Sequence, residues 1–324
     1  MTKTITICRP NGFCAGVERA IKIVDLALEA YGAPIYVNHE IVHNQHVVDD
    51  LASKGAVFVD DLNDVPMGAK LIYSAHGVSP EVREKATTRG LEEIDATCPL
   101  VTKVHLEAIR FAKKGYHIFL IGHANHVEVI GTYGEVPDHI TIVEPVDGPQ
   151  LQAQIQALPQ PEGEKTIYLT QTTLNVDDCM TVVKALKHRF PNLESPPKDD
   201  ICYATSNRQN AVKAVAPHVD YFIVVGSPTS SNSRRLVEVA RSLGCNADLI
   251  PSAAEMDSID LKQVQHIGIT AGASTPDILV QGIIHKLKQA GFSEVKESEF
   301  VEENMSFSLP KDFRSDLATR GIPV

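Results

Sequence analysis

IDATCPLVTKVHLEAIRFAKKGYHIFLIGHANHVE, residues 94–128, reads as a cysteine, an amphipathic helix, a buried strand and a polar loop. Pro99 suits a first helical position, and Leu100, Val101, Val104, Ala108 and Phe111 recur at helical spacing until Gly115. Ile118, Phe119, Leu120 and Ile121 then form a short apolar run closed by Gly122. Such a run suits a strand covered on both faces of a parallel sheet. The loop after it presents His126 and Glu128.

The same grammar occurs three times. Gly122 stands 24 residues after Cys98, Gly226 stands 24 after Cys202, and Asn38 stands 24 after Cys14, each behind an apolar run (IFLI, FIVV, IYV). Polar side chains follow in each loop: His43 in the first copy, His126 and Glu128 in the second, Ser230, Ser231 and Asn232 in the third. A further strand in each copy ends in a small polar loop carrying His76, Thr172 with Thr173, or Ser274. Offsets that agree this closely mark an internal repeat. The expected architecture is α/β: three pseudo-symmetric α/β units, each with a small mainly parallel sheet, around a central site. The expected boundaries are 15–98, 99–198 and 199–287, the N-terminal strand 1–14 joining the third unit, with a charged C-terminal tail, 288–324, that has no unit of its own.

Of 324 residues, 43% are hydrophobic and 22% charged, enough to bury a sizeable core. A net charge of -11, without a basic run, argues against a nucleic-acid surface. The amino terminus lacks the apolar region of a signal peptide, and no stretch approaches the roughly 20 apolar residues of a membrane span. A cytoplasmic location is expected, and there six scattered cysteines read as ligands, nucleophiles or core residues rather than disulfides.

Cys8, inside the strand TITIC, reads as core, and Cys179 and Cys245, without counterparts in the other copies, read as packing. HEIVH, residues 39–43, matches H-E-x-x-H in letters only, because that motif needs a helix and His39 directly follows the strand PIYVN. His43 alone is the better candidate. For TQTT the competing role is a cap on the following helix, through Thr172 or Thr173. The polar stretch 145–164 covers a helix and an exposed loop without candidate chemistry.

Cys14, Cys98 and Cys202 occupy equivalent places, and helix amino termini beside Cys14 and Cys98 favour their thiolate forms. Soft thiolates select zinc or an iron-sulfur cluster. Both readings are open on the residues alone, and a cubane with three protein ligands leaves one iron for substrate. His43, His76, His126, Ser230, Asn232 and Ser274 are donors suited to a diphosphate. Glu128 is the one carboxylate of the set, a natural proton donor. A cluster-dependent hydratase acting on a carboxylate would call for arginines in these loops, and they are missing.

Together, GFCAGVERAI, IYVNHEIVHN, SAHGVS, DATCPLVTKVH, GHANHVE, TQTTL, DDICYATSNRQ, SSNS and TAGASTPD resemble the 4-hydroxy-3-methylbut-2-enyl diphosphate reductase family over nearly the whole chain. The resemblance implies a trefoil of the three α/β units around one [4Fe-4S] cluster per chain, held by Cys14, Cys98 and Cys202. It implies reductive removal of the allylic hydroxyl, giving isopentenyl and dimethylallyl diphosphates. Glu128 with Thr172 and His126 would deliver protons. His43, His76, His126, Thr172, Ser230, Ser231, Asn232 and Ser274 would bind substrate. Val127 departs from the family, which commonly has Pro there. Without a flavin or nicotinamide fingerprint, electrons are expected from a ferredoxin or flavodoxin.

Overall fold

The structure, a computed structural model, describes residues 2–161 and 165–323. In chain order the elements are β1 (Lys3–Arg9), α1 (Ala15–Tyr31), β2 (Ile35–Asn38), α2 (Gln45–Ser53), β3 (Ala56–Val59), β4 (Lys70–Tyr73), α3 (Pro80–Thr88), β5 (Glu92–Asp95), α4 (Pro99–Lys113), β6 (His117–Ile121), α5 (Val127–Glu135), β7 (Ile140–Val143) and α6 (Gly148–Ala157). There follow β8 (Thr166–Thr170), α7 (Val176–Arg189), β9 (Leu193–Glu194), α8 (Tyr203–Val215), β10 (Tyr221–Val225), α9 (Ser231–Ser242), β11 (Asn246–Ile250), β12 (His266–Ala271), α10 (Asp277–Gln289), β13 (Phe292–Glu299) and α11 (Lys311–Thr319). Among the described residues no helix is long and apolar enough to cross a membrane.

Two compact bodies form. The first comprises Met1–Val17, His43–Val47 and Tyr203–Ser306, and the second Glu18–Val42, Val48–Cys202 and Phe307–Val324. The first body holds one five-stranded sheet, β11-β10-β12-β1-β13, and the second holds two four-stranded sheets, β3-β2-β4-β5 and β7-β6-β8-β9. Every pairing among them is parallel. The α/β class read from the sequence is therefore present. The strand order also repeats: in each sheet the strand that leads toward a cysteine (β5, β9 or β1) pairs with the strand ending at His76, Thr172 or Ser274 (β4, β8 or β12).

Alternation along the strands explains why both faces are covered. In β10, Ile223 and Val225 pack with Ile269, Val280 and Ile283, whereas Phe222 and Val224 pack with Val212, Leu236 and Cys8. In β6, Ile118 and Leu120 meet Val104 and Phe111 of α4, while Phe119 and Ile121 meet Val182 and Leu186 of α7. Each such side chain, fully buried, contributes about 1.5–3 kcal/mol. A run apolar at successive positions is what a doubly covered parallel strand needs.

The structure adds detail to two readings of the sequence. The tail supplies β13, an edge strand parallel to β1, with Ile7 opposite Glu297. Its sequence FSEVKESE is mostly exposed, and a charged edge strand carries little apolar signal. HEIVH lies off any helix: His39 adopts φ 59° and bonds Asp60 at 2.8 Å, and α2 begins only at Gln45. In the polar stretch 145–164 the helix is α6, and residues 162–164 lie outside the described residues.

Candidate active site

Each of Cys14, Cys98 and Cys202 directly precedes a helix, α1, α4 or α8, and each is only partly buried. Their backbone N–H groups donate in the same way. Cys98 donates to the Ala75 carbonyl (3.0 Å), Cys202 to Thr172 (3.0 Å) and Cys14 to Ala273 (3.2 Å). Every cysteine loop is thus tied to the loop carrying His76, Thr172 or Ser274, as the strand pairings require.

The other three cysteines differ. Cys8, Cys179 and Cys245 are buried. Burial pushes the thiols of Cys8 and Cys179 up to about 12 and raises that of Cys245 as well. They remain protonated packing residues. The chain therefore separates three core thiols from three at helix starts, and the latter are sulfur donors of the chemical kind that a soft-metal cofactor takes. Among the described residues, no group of three or more His, Cys, Asp or Glu is arranged to hold a metal ion.

In the first body, α9 brings up the polar loop. Ser230 caps it, its hydroxyl accepting from Ser233 N, and Ser230, Ser231 and Asn232 are all buried. Asn232 Oδ1 accepts from Ala273 N (2.9 Å), and the Ser274 hydroxyl donates to the His43 carbonyl (3.0 Å). Cys14, His43, Asn232 and Ser274 are thereby joined through backbone and side chain. The following helix begins after His43 and takes Asn44 as its cap partner, with Val47 N donating to Asn44 Oδ1 (3.3 Å). His43 is released from that role.

The approach of α9 depends on two glycines. A Cβ at Gly226 or Gly272 would collide with the buried Ser233 side chain. Gly272→Ala is expected to cost about 1–3 kcal/mol by overpacking, read as a lower urea midpoint. The 24-residue offset thus has a physical reason at Gly226, and Gly122 repeats it: a Cβ there would stand 2.7 Å from Val129 of α5.

In the second body, Glu128 is 2% exposed on the first turn of α5. Its Oε1 accepts from Thr172 N (2.6 Å) and its Oε2 from the Thr172 hydroxyl (2.9 Å). Burial pushes its pKa up to about 7, against the pull of these two bonds, and Asp200 adds to the rise. The cap on α7 that Thr172 could have supplied comes from Asn175, whose side chain accepts from Asp177 N and Asp178 N. His126 caps α5 by accepting from Glu128 N through Nδ1 (3.2 Å), which leaves its ring proton on Nε2. The rings of His126 and His76 stand edge to face, 6.2 Å apart.

Stability should follow Glu128. Below pH 4.5 both folded and unfolded chains hold the proton; between 4.5 and about 7 only the folded chain does. Stability is therefore expected to fall as pH rises through that window and then level off, a loss of roughly 3 kcal/mol. In Glu128→Gln the Glu128 share of this fall should be absent, leaving the smaller fall that the likewise raised Asp200 contributes, so urea midpoints of the two proteins compared at pH 5 and 8 check it.

Residues that the sequence did not single out support the site. His105 of α4 lies between Gly77 and Gly131, where an added Cβ would meet its ring at 3.3 Å. Its Nδ1 bonds Glu135 (2.9 Å), which also takes Arg83 (2.6 Å). Asp200 is buried, accepting from Thr170 N (3.0 Å) and Lys103 (2.8 Å), and burial still raises its pKa to about 7. The Tyr203 hydroxyl accepts from Ala15 N (3.3 Å). No periodicity marks these residues, because their partners are distant in sequence.

A family model described as LytB protein matches residues 5–288. A 4-hydroxy-3-methylbut-2-enyl diphosphate reductase of Rhodococcus jostii is 54% identical over 314 residues, 97% of this chain and 92% of that protein. One from Streptomyces avermitilis is 52% identical over 316 residues, again 97% and 92%. The solved structure of the E-1-hydroxy-2-methyl-but-2-enyl-4-diphosphate reductase from Plasmodium falciparum aligns with a TM-score of 0.95 and 43% identity, covering 99% of this chain and all of that one. The chain belongs to the LytB family, the 4-hydroxy-3-methylbut-2-enyl diphosphate reductases.

Proposed function

We propose that the chain removes the allylic hydroxyl of (E)-4-hydroxy-3-methylbut-2-enyl diphosphate, giving isopentenyl and dimethylallyl diphosphates and water. The observation that carries this reading is the buried Glu128–Thr172 pair, an acid poised near neutrality, in a chain whose relatives bear that reductase name. A [4Fe-4S] cluster on Cys14, Cys98 and Cys202 would supply two electrons, received one at a time from a ferredoxin or flavodoxin, and an open iron beside the substrate. One cluster per chain is proposed.

The balance needs two electrons and two protons for each hydroxyl lost as water. Glu128 is the acid. With a pKa of about 7 it is half protonated at neutral pH, where a carboxyl at its ordinary value would be spent. When Oε2 carries the proton, the Thr172 hydroxyl reverses to accept it and turns its own proton outward. Thr172 is thus a relay, and its amide on Oε1 fixes the carboxyl plane. His126, with its proton on Nε2, is a second donor.

His43, His76, His126, Thr172, Ser230, Ser231, Asn232 and Ser274 are proposed to hold the substrate. The hydroxyl, amide and imidazole groups among them, with amides at the start of α9, suit a diphosphate in an otherwise acidic protein. Anaerobically purified protein given the allylic diphosphate and a one-electron artificial reductant should yield both products. Recovery of unchanged substrate by a chain that holds its iron would overturn the reading.

A further inference from the structure

Three cations stand at matching places in the three copies. Arg19 lies five residues after Cys14, Lys103 five after Cys98, and Arg208 six after Cys202, each on the second turn of the helix its cysteine begins. A basic residue at such a place is ordinarily a solvated helix face. Here Arg208 is fully buried, Arg19 is 9% exposed, and the Lys103 side chain is 27% exposed.

Their partners follow one rule. Arg19 Nη1 donates to the carbonyls of Ala96 (3.2 Å) and Thr97 (2.9 Å), the two residues before Cys98. Lys103 Nζ donates to the carbonyls of Lys198 (2.9 Å) and Asp199 (3.1 Å) and to Asp200 Oδ1 (2.8 Å), just before Cys202. Arg208 Nη2 donates to the carbonyls of Gly12 (2.8 Å) and Phe13 (3.5 Å), the two residues before Cys14. In each case the helix begun by one cysteine grips the loop of another.

We propose that Arg19, Lys103 and Arg208 are positioning residues, each ordering the loop that delivers the next cysteine of a closed cycle, Cys14 to Cys98 to Cys202 to Cys14. The physical reason is backbone satisfaction. A loop that ends in a ligand cannot also run in a sheet, so its carbonyls need other donors, and a cation held against them supplies several at once. The cations keep their own anchors: Arg208 pairs with Glu303 (3.1 Å) and Arg19 Nε donates to the Ser308 carbonyl (2.8 Å), so residues after 300 brace two of the three clamps. The inference rests on the cluster reading only for its effect on iron.

Arg19→Met, Lys103→Met and Arg208→Met would be compared with the parent chain by hydrogen exchange, on protein purified anaerobically and on protein stripped of iron. Each substitution is expected to speed exchange about tenfold in the loop of the next cysteine, residues 95–98, 198–202 and 11–14 respectively. The loop of the cysteine on the substituted helix should stay near the parent rate, and bound iron per chain should drop. A merely structural role would loosen the whole body instead. Arg208→Lys, which keeps the charge but loses the fork, covers the case in which Arg208→Met does not fold, and should give an intermediate rate at residues 11–14. Uniform loosening, or an effect at the substituted helix's own cysteine, overturns the proposal. A parent chain without iron would sink the cluster reading while the exchange pattern still decides this one.

Discussion

Glu128→Gln is expected to lower turnover by roughly 10²–10⁴-fold, with little change in substrate affinity. Gln keeps the shape and can still accept from Thr172 N, but it has no acidic proton, and its amide cannot reproduce both acceptor oxygens. In the parent protein, turnover should decline above about pH 7 as the acid ionises, and the variant should lose that limb. Steady-state rates from pH 6 to 9, with an artificial reductant, check both outcomes. Undiminished turnover in the variant would remove Glu128 from the proton path. The same substitution should make the protein relatively more stable at pH 8, since an ionised carboxylate at 2% exposure is costly. Loss of activity with a gain in stability is the signature of a group kept for chemistry.

The second large effect concerns the thiols. Cys14→Ser, Cys98→Ser and Cys202→Ser should each lose bound iron and fall to background turnover, because a hydroxyl replaces a soft ligand poorly. Cys179→Ala, from the buried thiols, should retain iron and turnover and lose only packing. Iron and sulfide assays on anaerobically purified proteins read this directly. Equal iron loss from Cys179→Ala would erase the division between core thiols and ligand thiols.

How far the sequence reaches can be judged from particular residues. Helix α4 was readable from its apolar stripe, and β6 from an unbroken apolar run, because each is covered in the way its pattern implies. Gly115, with φ 77°, ends the stripe where expected. The tail strand β13 was not readable, since beyond the buried Phe292 its residues, mostly Glu, Lys and Ser, stay largely exposed on the sheet edge. Glu128 could be picked as the carboxylate of its loop, yet its elevated pKa could not, because the burial comes from chain segments far off in sequence. The three clamping cations were hidden for a related reason. Arg and Lys on a helix look alike whether they face solvent or a carbonyl, and only the fold names the carbonyl.

Electron paramagnetic resonance of the reduced protein, recorded with and without the allylic diphosphate, tests most directly that three thiolates hold one cluster with an iron open to substrate. The expected result is a reduced-cluster signal that shifts when the diphosphate is added in the parent protein and is missing from Cys98→Ser. A spectrum indifferent to the diphosphate, or one that survives loss of Cys98, would contradict it.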